Sequence, residues 1–170
     1  MGDCSYLLSR SLGEKLKAAG MKVAVAESCT GGSLSKTLTD LPGSSLWFDR
    51  GFVTYSDESK IAMLGIAATE IEHWGAVSET VAIQMAKGVI HQSVADISAS
   101  ITGFAGPEGG TRENPVGTVY VAIASREGHC TCRKLFFTGG RQHIRESTVA
   151  VTLQWLNEEV ERRVIDAQRK

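Results

Sequence analysis

A chain of 170 residues with 18 basic and 19 acidic side chains carries a formal net charge of −1. That length suits a single domain, residues 1–170, which can bury roughly 70% of its unfolded surface without a metal or disulfide staple. The balanced charge excludes the one-sign field that draws a protein to nucleic acid or to a membrane surface, so neither is expected as a partner. No apolar run approaches the ~18 residues of a membrane span. The first twenty residues, broken by Asp3, Arg10, Glu14, Lys15 and Lys17, do not read as a signal peptide. Cys4, Cys29, Cys130 and Cys132 are read as reduced thiols of a cytoplasmic protein.

In chain order, Leu8, Leu12 and Leu16 predict a helix over 4–19 that stops at Gly20. A short buried strand follows over 21–26. The polar turn Glu27-Ser28-Cys29-Thr30-Gly31-Gly32 then leads into a helix that runs to Asp40 and ends at Pro42-Gly43. Residues 47–55 read as the second strand, and Ser56-Asp57 as a helix start with Lys60, Met63 and Leu64 behind it. Ser78 is the expected N-cap of a helix whose apolar row is Val81, Met85 and Val89. Residues 96–101 form the third strand, which enters the glycine-rich loop 102–110. Two further strands, 116–125 and 130–137, make a hairpin turning at 126–129. Val149, Leu153, Leu156, Val160 and Val164 predict a long terminal helix. Cys130 and Cys132 share one strand face while His129 turns away from them, so no metal site is expected there.

Early alternation of strand and helix with a late hairpin predicts an α/β fold. Its expected form is a three-layer α/β/α sandwich with a mixed, mainly parallel sheet and a late antiparallel hairpin. If the first three strands are parallel, Ser28, the segment from Tyr55 to Lys60 and the 102–110 loop all follow strand C-termini. They then converge on one sheet edge, where open α/β sheets bind ligands.

Two of these segments have chemistry of their own. The turn at Ser28 offers unpaired N–H groups and partial positive charge, which suit an oxyanion or a phosphate. The same residues equally describe an N-cap in an ordinary turn. A lysine such as Lys60 must lose about three pKa units, roughly 4 kcal/mol, to be neutral near pH 7. Burial or a second cation supplies that, and a lysine so shifted takes the proton of a serine. Tyr55 is a candidate to orient Lys60 or relay a proton. Unshifted, Lys60 is a solvated side chain in a first helical turn.

Other segments are weaker. Ser33-Leu34-Ser35-Lys36 has a Ser-x-x-Lys spacing without the elements that accompany it in penicillin-binding enzymes, and is set aside. A Cys29 nucleophile is chemically possible at a helix start, but it wants a histidine partner that the sequence does not identify. After Ser28, Thr30 and Ser45 are the next nucleophile candidates. Thr102, Gly103 and Gly106 are candidates to cradle an anion through backbone N–H groups. Arg141, which opens the last helix, is a candidate to hold a phosphate.

Taken together, several runs resemble the C-terminal domain of the CinA competence/damage-inducible proteins. They are Ala26-Glu27-Ser28-Cys29-Thr30-Gly31-Gly32, Gly43-Ser44-Ser45 with Trp47-Phe48, and Arg50-Gly51-Phe52-Val53-Thr54-Tyr55-Ser56 with Lys60. Gly75-Ala76-Val77-Ser78-Glu79, the stretch from Ile101 to Gly110, and Pro115-Val116-Gly117-Thr118-Val119 complete the set. The resemblance spans residues 20–160. It implies a nicotinamide-nucleotide amidase that converts nicotinamide mononucleotide to nicotinate mononucleotide and ammonia. It further implies no cofactor, a small pyridine nucleotide as the partner, and a serine–lysine dyad at Ser28 and Lys60 with Tyr55 beside it. The N–H groups from Cys29 to Gly31, joined by the Thr30 hydroxyl, would hold the oxyanion. Thr30, Gly31, Gly32, Ser44, Ser45, Thr102, Gly103, Gly106 and Arg141 form the expected substrate-binding set.

The chain departs mildly from the family pattern. Asp57 and Ser59 stand where the pattern has Asn and Ala, and Gly140 stands where it has Asp. Longer members carry an additional N-terminal domain linked to nucleotide pyrophosphatase activity, which is not carried over here. A non-catalytic nucleotide-binding or protein-interaction module is the rival expectation. Trp47, Phe48 and Trp74 are left open between the core and a partner subunit, with a homodimer or higher homo-oligomer in view.

Overall fold

Alternation of large and small side chains along the strands decides how the layers pack. The computed structural model describes residues 2–169. Its elements, in order, are α1 (Gly2–Ala19), β1 (Val23–Glu27), α2 (Ser33–Thr39), β2 (Phe48–Val53), α3 (Asp57–Leu64), α4 (Ala68–Trp74), α5 (Glu79–His91), β3 (Ile97–Gly103), β4 (Thr118–Ser125), β5 (Cys130–Phe136) and α6 (Arg141–Gln168). The sheet order is β2-β1-β3-β4-β5. β1 runs parallel to β2 and β3, while β4 is antiparallel to both β3 and β5. Only β4 runs against the other four, so the sheet is mixed and mainly parallel, with the expected late hairpin.

One sheet face carries the large residues. Val23, Val25, Ile97, Ile101, Val119, Val121 and Ile123 pack there against Leu12 and Leu16 of α1, Leu34 and Leu38 of α2, and Leu153, Leu156 and Val160 of α6. The opposite face is built from small residues: Ala24, Ala26, Ala122 and Ala124, with α5 lying over them through Val81, Ala82, Met85, Ala86 and Val89. β3 presents Ser98 and Ser100 to that side. Their buried hydroxyls donate to the Ala86 and Ala82 carbonyls at 2.7 and 2.6 Å, which brings the helix backbone close to the strand. Cys130 and Cys132 share this face and pack against the same helix.

Sequence signals for helix ends hold at atomic detail. Gly20 takes φ 65 after α1. Ser56 and Ser78 accept from the Ser59 and Val81 N–H groups as N-caps of α3 and α5. Helix α4 and a short 3-10 turn at Ser44–Leu46 are not foreseen by pattern. α4 is one buried residue, Ile71, on seven, with no capping side chain, so it leaves no periodicity to read. Trp47 is core: its ring sits 2.7 Å from where a Cβ on Gly13 would be. Phe48 packs partly against that core, whereas Trp74 is 53% exposed. Among the described residues no helix is long and apolar enough to cross a membrane.

Gly88 of α5 sets how closely α3 approaches. A Cβ there would lie 2.5 Å from the Leu64 carbonyl oxygen and 2.9 Å from the Leu64 Cβ. Alanine gains about 1 kcal/mol of helix propensity over glycine, but overpacking a closed contact loses about 1–3 kcal/mol. Gly88→Ala is therefore expected to lower stability by roughly 1 kcal/mol net in urea unfolding. A variant as stable as the parent would show that α3 does not rest on α5 at this point.

Candidate active site

The three parallel strands deliver their C-termini side by side. Glu27 of β1 is in register with Val53 of β2 and Ile101 of β3. The Ser28 N–H donates to the Ile101 carbonyl at 3.0 Å, and the Thr54 N–H to the Glu27 carbonyl at 2.9 Å. The convergence expected from alternation is present, and it brings together Ser28, the start of the Thr54–Lys60 segment and the exit of β3.

Glu27 builds the turn that carries Ser28. Its side chain is fully buried. Oε1 accepts from the Thr30 hydroxyl at 2.8 Å and the Leu34 N–H at 2.7 Å; Oε2 accepts from the Ser35 N–H at 3.0 Å and the Ser35 hydroxyl at 2.8 Å. Gly32, the N-cap of α2, has no capping side chain, so Glu27 caps the helix from the preceding strand. Gly31 and Gly32 take φ 59 and 97, which reverses the chain tightly enough for this to happen. A Cβ on Gly51 would overlap the Ser35 hydroxyl, so the neighbouring strand must also be bare here.

Lys60 reaches the same place from α3. It is 1% exposed, and its Nζ lies 3.4 Å from Ser28 Oγ. The Thr54 and Ser56 carbonyls stand at 3.1 and 3.5 Å, and Asp57 Oδ1 at 3.7 Å. Burial pulls the Lys60 amine below the ordinary lysine value, while Asp57, then Cys29 and Glu58, pull the other way; burial prevails. Ser28 is 9% exposed. A serine hydroxyl beside a desolvated amine, at a turn with free N–H groups, has the parts needed to attack a carbonyl carbon.

Several expected residues have other duties. Thr30 is fully buried and its proton goes to Glu27, so it is not available to an oxyanion. The Gly31 N–H donates to the Ser28 carbonyl at 3.0 Å and is likewise committed. Among the described residues, the Cys29, Thr30 and Gly32 N–H groups have no acceptor. Tyr55 is 59% exposed and its side chain makes no hydrogen bond to Lys60 or Ser28; its hydroxyl accepts from Arg141 Nη2 at 2.9 Å. Arg141 Nη1 donates to the Gly106 carbonyl at 2.8 Å, so one guanidinium ties the loops after β2 and β3 to the start of α6. Thr102 is buried and donates to the Ala76 carbonyl at 2.8 Å. Gly103 admits β4, since a Cβ would meet the Thr118 carbonyl at 2.8 Å. The Thr102 hydroxyl and the bare Gly103 position both serve the fold.

Ser44 and Ser45 stand apart. They precede β2, whose Phe48 pairs with Val23 at the start of β1, so they lie at the opposite end of the sheet from this chain's Ser28. A loop that precedes a parallel strand lies at its N-terminal end, so chain order already places Ser44 and Ser45 away from the edge where Ser28 follows β1. Cys29 is a poor nucleophile because burial pushes its thiol up to about 11. Lys36, the lysine of the discounted spacing, forms a surface pair with Asp40 at 2.6 Å.

Three residues escaped the pattern reading. Glu27 is three before Thr30, Asp57 is three before Lys60, and Arg145 is one helical turn beyond Arg141. Each spacing is a local signal, but only the fold shows what faces it. Arg145 donates to the Cys29 and Thr30 carbonyls at 3.1 and 3.0 Å and to the Ser33 hydroxyl at 3.4 Å.

A serine turn and a buried lysine at the C-terminal edge of an α/β sheet define a hydrolase-like site class. The chain belongs to the CinA C-terminal domain family, whose model matches residues 6–160. It is 48% identical over 149 residues to the nicotinamide-nucleotide amidohydrolase PncC of Escherichia coli (strain K12), covering 88% of this chain and 90% of that protein. The protein of the same name from Enterobacter agglomerans is 48% identical over 147 residues, covering 86% and 90%. The crystal structure of a competence/damage inducible protein from Agrobacterium tumefaciens superposes with a TM-score of 0.88 at 40% identity, covering 90% of this chain and 93% of that one.

Replacing Glu27 by alanine strands four donors in a dry turn. Each unmatched buried donor costs about 1–3 kcal/mol. With partial relief by water, Glu27→Ala is expected to lose about 3 kcal/mol or more in urea unfolding. A loss under about 1 kcal/mol would mean that the turn holds without it.

Proposed function

We propose that this protein hydrolyses the carboxamide of nicotinamide mononucleotide, giving nicotinate mononucleotide and ammonia, with Ser28 as nucleophile and Lys60 as its base. The observation that carries the reading is a lysine 1% exposed whose Nζ is 3.4 Å from a serine Oγ. The names of relatives at 48% identity supply the substrate class.

The chemistry follows from the geometry. At its ordinary pKa well under 0.1% of a lysine is neutral at pH 7, and each unit of depression raises that fraction about tenfold. Neutral Lys60 takes the Ser28 proton as the Oγ–carbon bond forms, and the carbonyl π electrons move onto oxygen. The Cys29 N–H, which has no acceptor within the turn, is the nearest free donor in sequence for that oxyanion. When it collapses, the carbon–nitrogen bond breaks and Lys60 returns the proton to ammonia. Water then attacks the ester, giving its proton to Lys60, and Ser28 leaves with that proton. Arg141 uses two of its five donors within the fold and keeps the rest for a phosphate. Gly31, Gly32 and Gly106 contribute backbone to the same edge.

The same reading has the enzyme in the cytoplasm, where Cys4, Cys29, Cys130 and Cys132 stay as thiols. It has no nucleic-acid or membrane partner. A homo-oligomer belongs to it, with exposed Trp74 as the residue open to a second copy.

Incubating the pure protein with nicotinamide mononucleotide should release ammonia and nicotinate mononucleotide in equal amounts. Ser28→Ala should fall to the blank rate while still binding nucleotide. Lys60→Arg should do the same, because a guanidinium keeps its proton. A Ser28→Ala variant with normal turnover means that the nucleophile is elsewhere. A folded wild-type protein that binds the nucleotide yet releases no ammonia is a binding module instead.

The pH profile tests the base. Lys60 must be neutral to act, so kcat/KM should rise with pH to a plateau, with an apparent pKa below the ordinary lysine value. Asp57 favours the ammonium, so Asp57→Asn should move that ascending limb to lower pH. The linkage has the same sign. The buried amine is a liability below its folded pKa, and stability is regained as pH rises through it toward the unfolded value. A limb that Asp57→Asn leaves in place would assign the titration to another group.

A further inference from the structure

We propose that the cleft between Trp74 and Phe104 binds the positively charged pyridinium ring of the substrate nucleotide, with Glu113 as its counter-charge. The proposal rests on the amidase reading above and names the side chains that recognise the ring.

The run Gly75-Ala76-Val77-Ser78-Glu79 has no part in the chemistry of Ser28 and Lys60. Its loop forms one wall of a cleft of about 370 Å³. Trp74 and Phe104 are the aromatic residues of that cleft, and Ala76, Val77, Glu113 and Asn114 also line it. Such a volume is in the range of small-molecule sites. The walls are tied to the sheet. Asn114 Nδ2 donates to the Val77 carbonyl at 3.3 Å, and Asn114 Oδ1 accepts from the Tyr120 hydroxyl at 3.1 Å. The Thr102 hydroxyl holds the Ala76 carbonyl at 2.8 Å.

The cleft opens at the edge where Ser28 sits. The Ser28 N–H bonds the Ile101 carbonyl, so Ser28 stands beside the Ile101-Thr102 peptide of the neighbouring strand. The Phe104 N–H bonds the Thr118 carbonyl at 2.9 Å, so the ladder runs on as far as this residue. Phe104 is thus about 4.8 Å across from the Ser28 strand and two residues, about 7 Å, beyond Thr102. The layer is also shared. Ala76 packs in the cluster that holds Ala26 of β1, Leu64 of α3 and Val81 of α5, and α3 is the helix that brings Lys60.

The bond from ribose to the ring nitrogen makes the pyridine of this nucleotide a cation, and aromatic faces attract cations. Glu113 is the one charged residue lining the cleft, and among the described residues it has no ion-pair partner. Lys134 donates to the Glu113 main-chain carbonyl at 3.2 Å and stands 5.6 Å over the Tyr120 ring, but it does not line the cleft. Two residues past Phe104, the Gly106 carbonyl holds Arg141. The loop after β3 therefore joins an aromatic, anionic cleft to a guanidinium, the charge order of a pyridinium nucleotide from ring to phosphate.

Trp47 and Trp155 are buried and Trp74 is more than half exposed, so quenching of tryptophan emission by a bound pyridinium reports on Trp74. Nicotinate mononucleotide keeps the cationic ring and is not turned over. It should quench the emission saturably, and Trp74→Phe should bind it without quenching. Trp74→Leu should raise KM for nicotinamide mononucleotide about tenfold with kcat within about twofold. The 1,4-dihydro nucleotide has the same phosphate and a neutral ring; wild type should bind it about tenfold more weakly, and Trp74→Leu should erase most of that preference. Glu113→Gln should lower the same preference about threefold and decides the matter if Trp74→Leu does not fold. Equal binding of the oxidised and dihydro nucleotides by wild type overturns the proposal, as does a wild-type KM in Trp74→Leu. Emission that changes with protein concentration but not with nucleotide gives Trp74 to a second copy and overturns it too. Ammonia release without quenching overturns the cleft alone, and quenching without ammonia release overturns the amidase reading alone.

Discussion

Glu27 closes β1 with a carboxylate that solvent cannot reach, and the next eight residues answer with four donors. An unpaired charge in that place would cost several kcal/mol, so the chain after β1 has one acceptable course. It must reverse through Gly31 and Gly32 and start α2 with Leu34 and Ser35 pointing their N–H groups at the carboxylate. Ser28 lies on the only segment left between the strand and that reversal. The placement of its hydroxyl is therefore a consequence of how a helix is capped.

The opposing layer brings the lysine. Small residues on one sheet face, with Ser98 and Ser100 bonded to helix carbonyls, draw α5 onto the strands. Gly88 lets α3 settle on α5, and the Ser56 cap fixes where α3 begins. Lys60, one turn in, is carried under the end of β1. Its surroundings are divided: two carbonyls and Asp57 favour the ammonium, and burial opposes it. Asp57 is more than half exposed, so its field is screened by water, whereas the desolvation of Nζ is not. That imbalance leaves an amine whose pKa is depressed rather than a fixed ion pair.

Helix α6 closes the site from the third direction. Arg141 and Arg145 stand one turn apart and share a face. The first ties Tyr55 to Gly106, and the second grips the Ser28 turn. Strand, lysine helix and arginine helix come from widely separated parts of the chain. The site exists only when all three layers are in place.

How much of this could be read in advance follows from range. Period-two and period-four apolar patterns, serine caps and glycine stops are local, and they located ten of the elements, the layer order and the meeting of three loops at one edge. α4 and the 3-10 turn were invisible because so few of their residues face the core. Ser28 and Lys60 were legible as a pair through several motifs in order, though each alone looked ordinary. What no local pattern contains is which hydroxyl proton is already taken. Thr30 and Thr102 looked like donors but are committed inside the fold; Ser44 and Ser45 looked close but sit at the far end of the sheet. The desolvation of Lys60 is decided by its burial against Ser28 and Thr54, segments that follow two different strands. Sequence by itself determined the residue types and their order along the edge. Tertiary structure alone decided which of them remain free to react, because hydrogen-bond partners and burial are properties of contacts between distant segments.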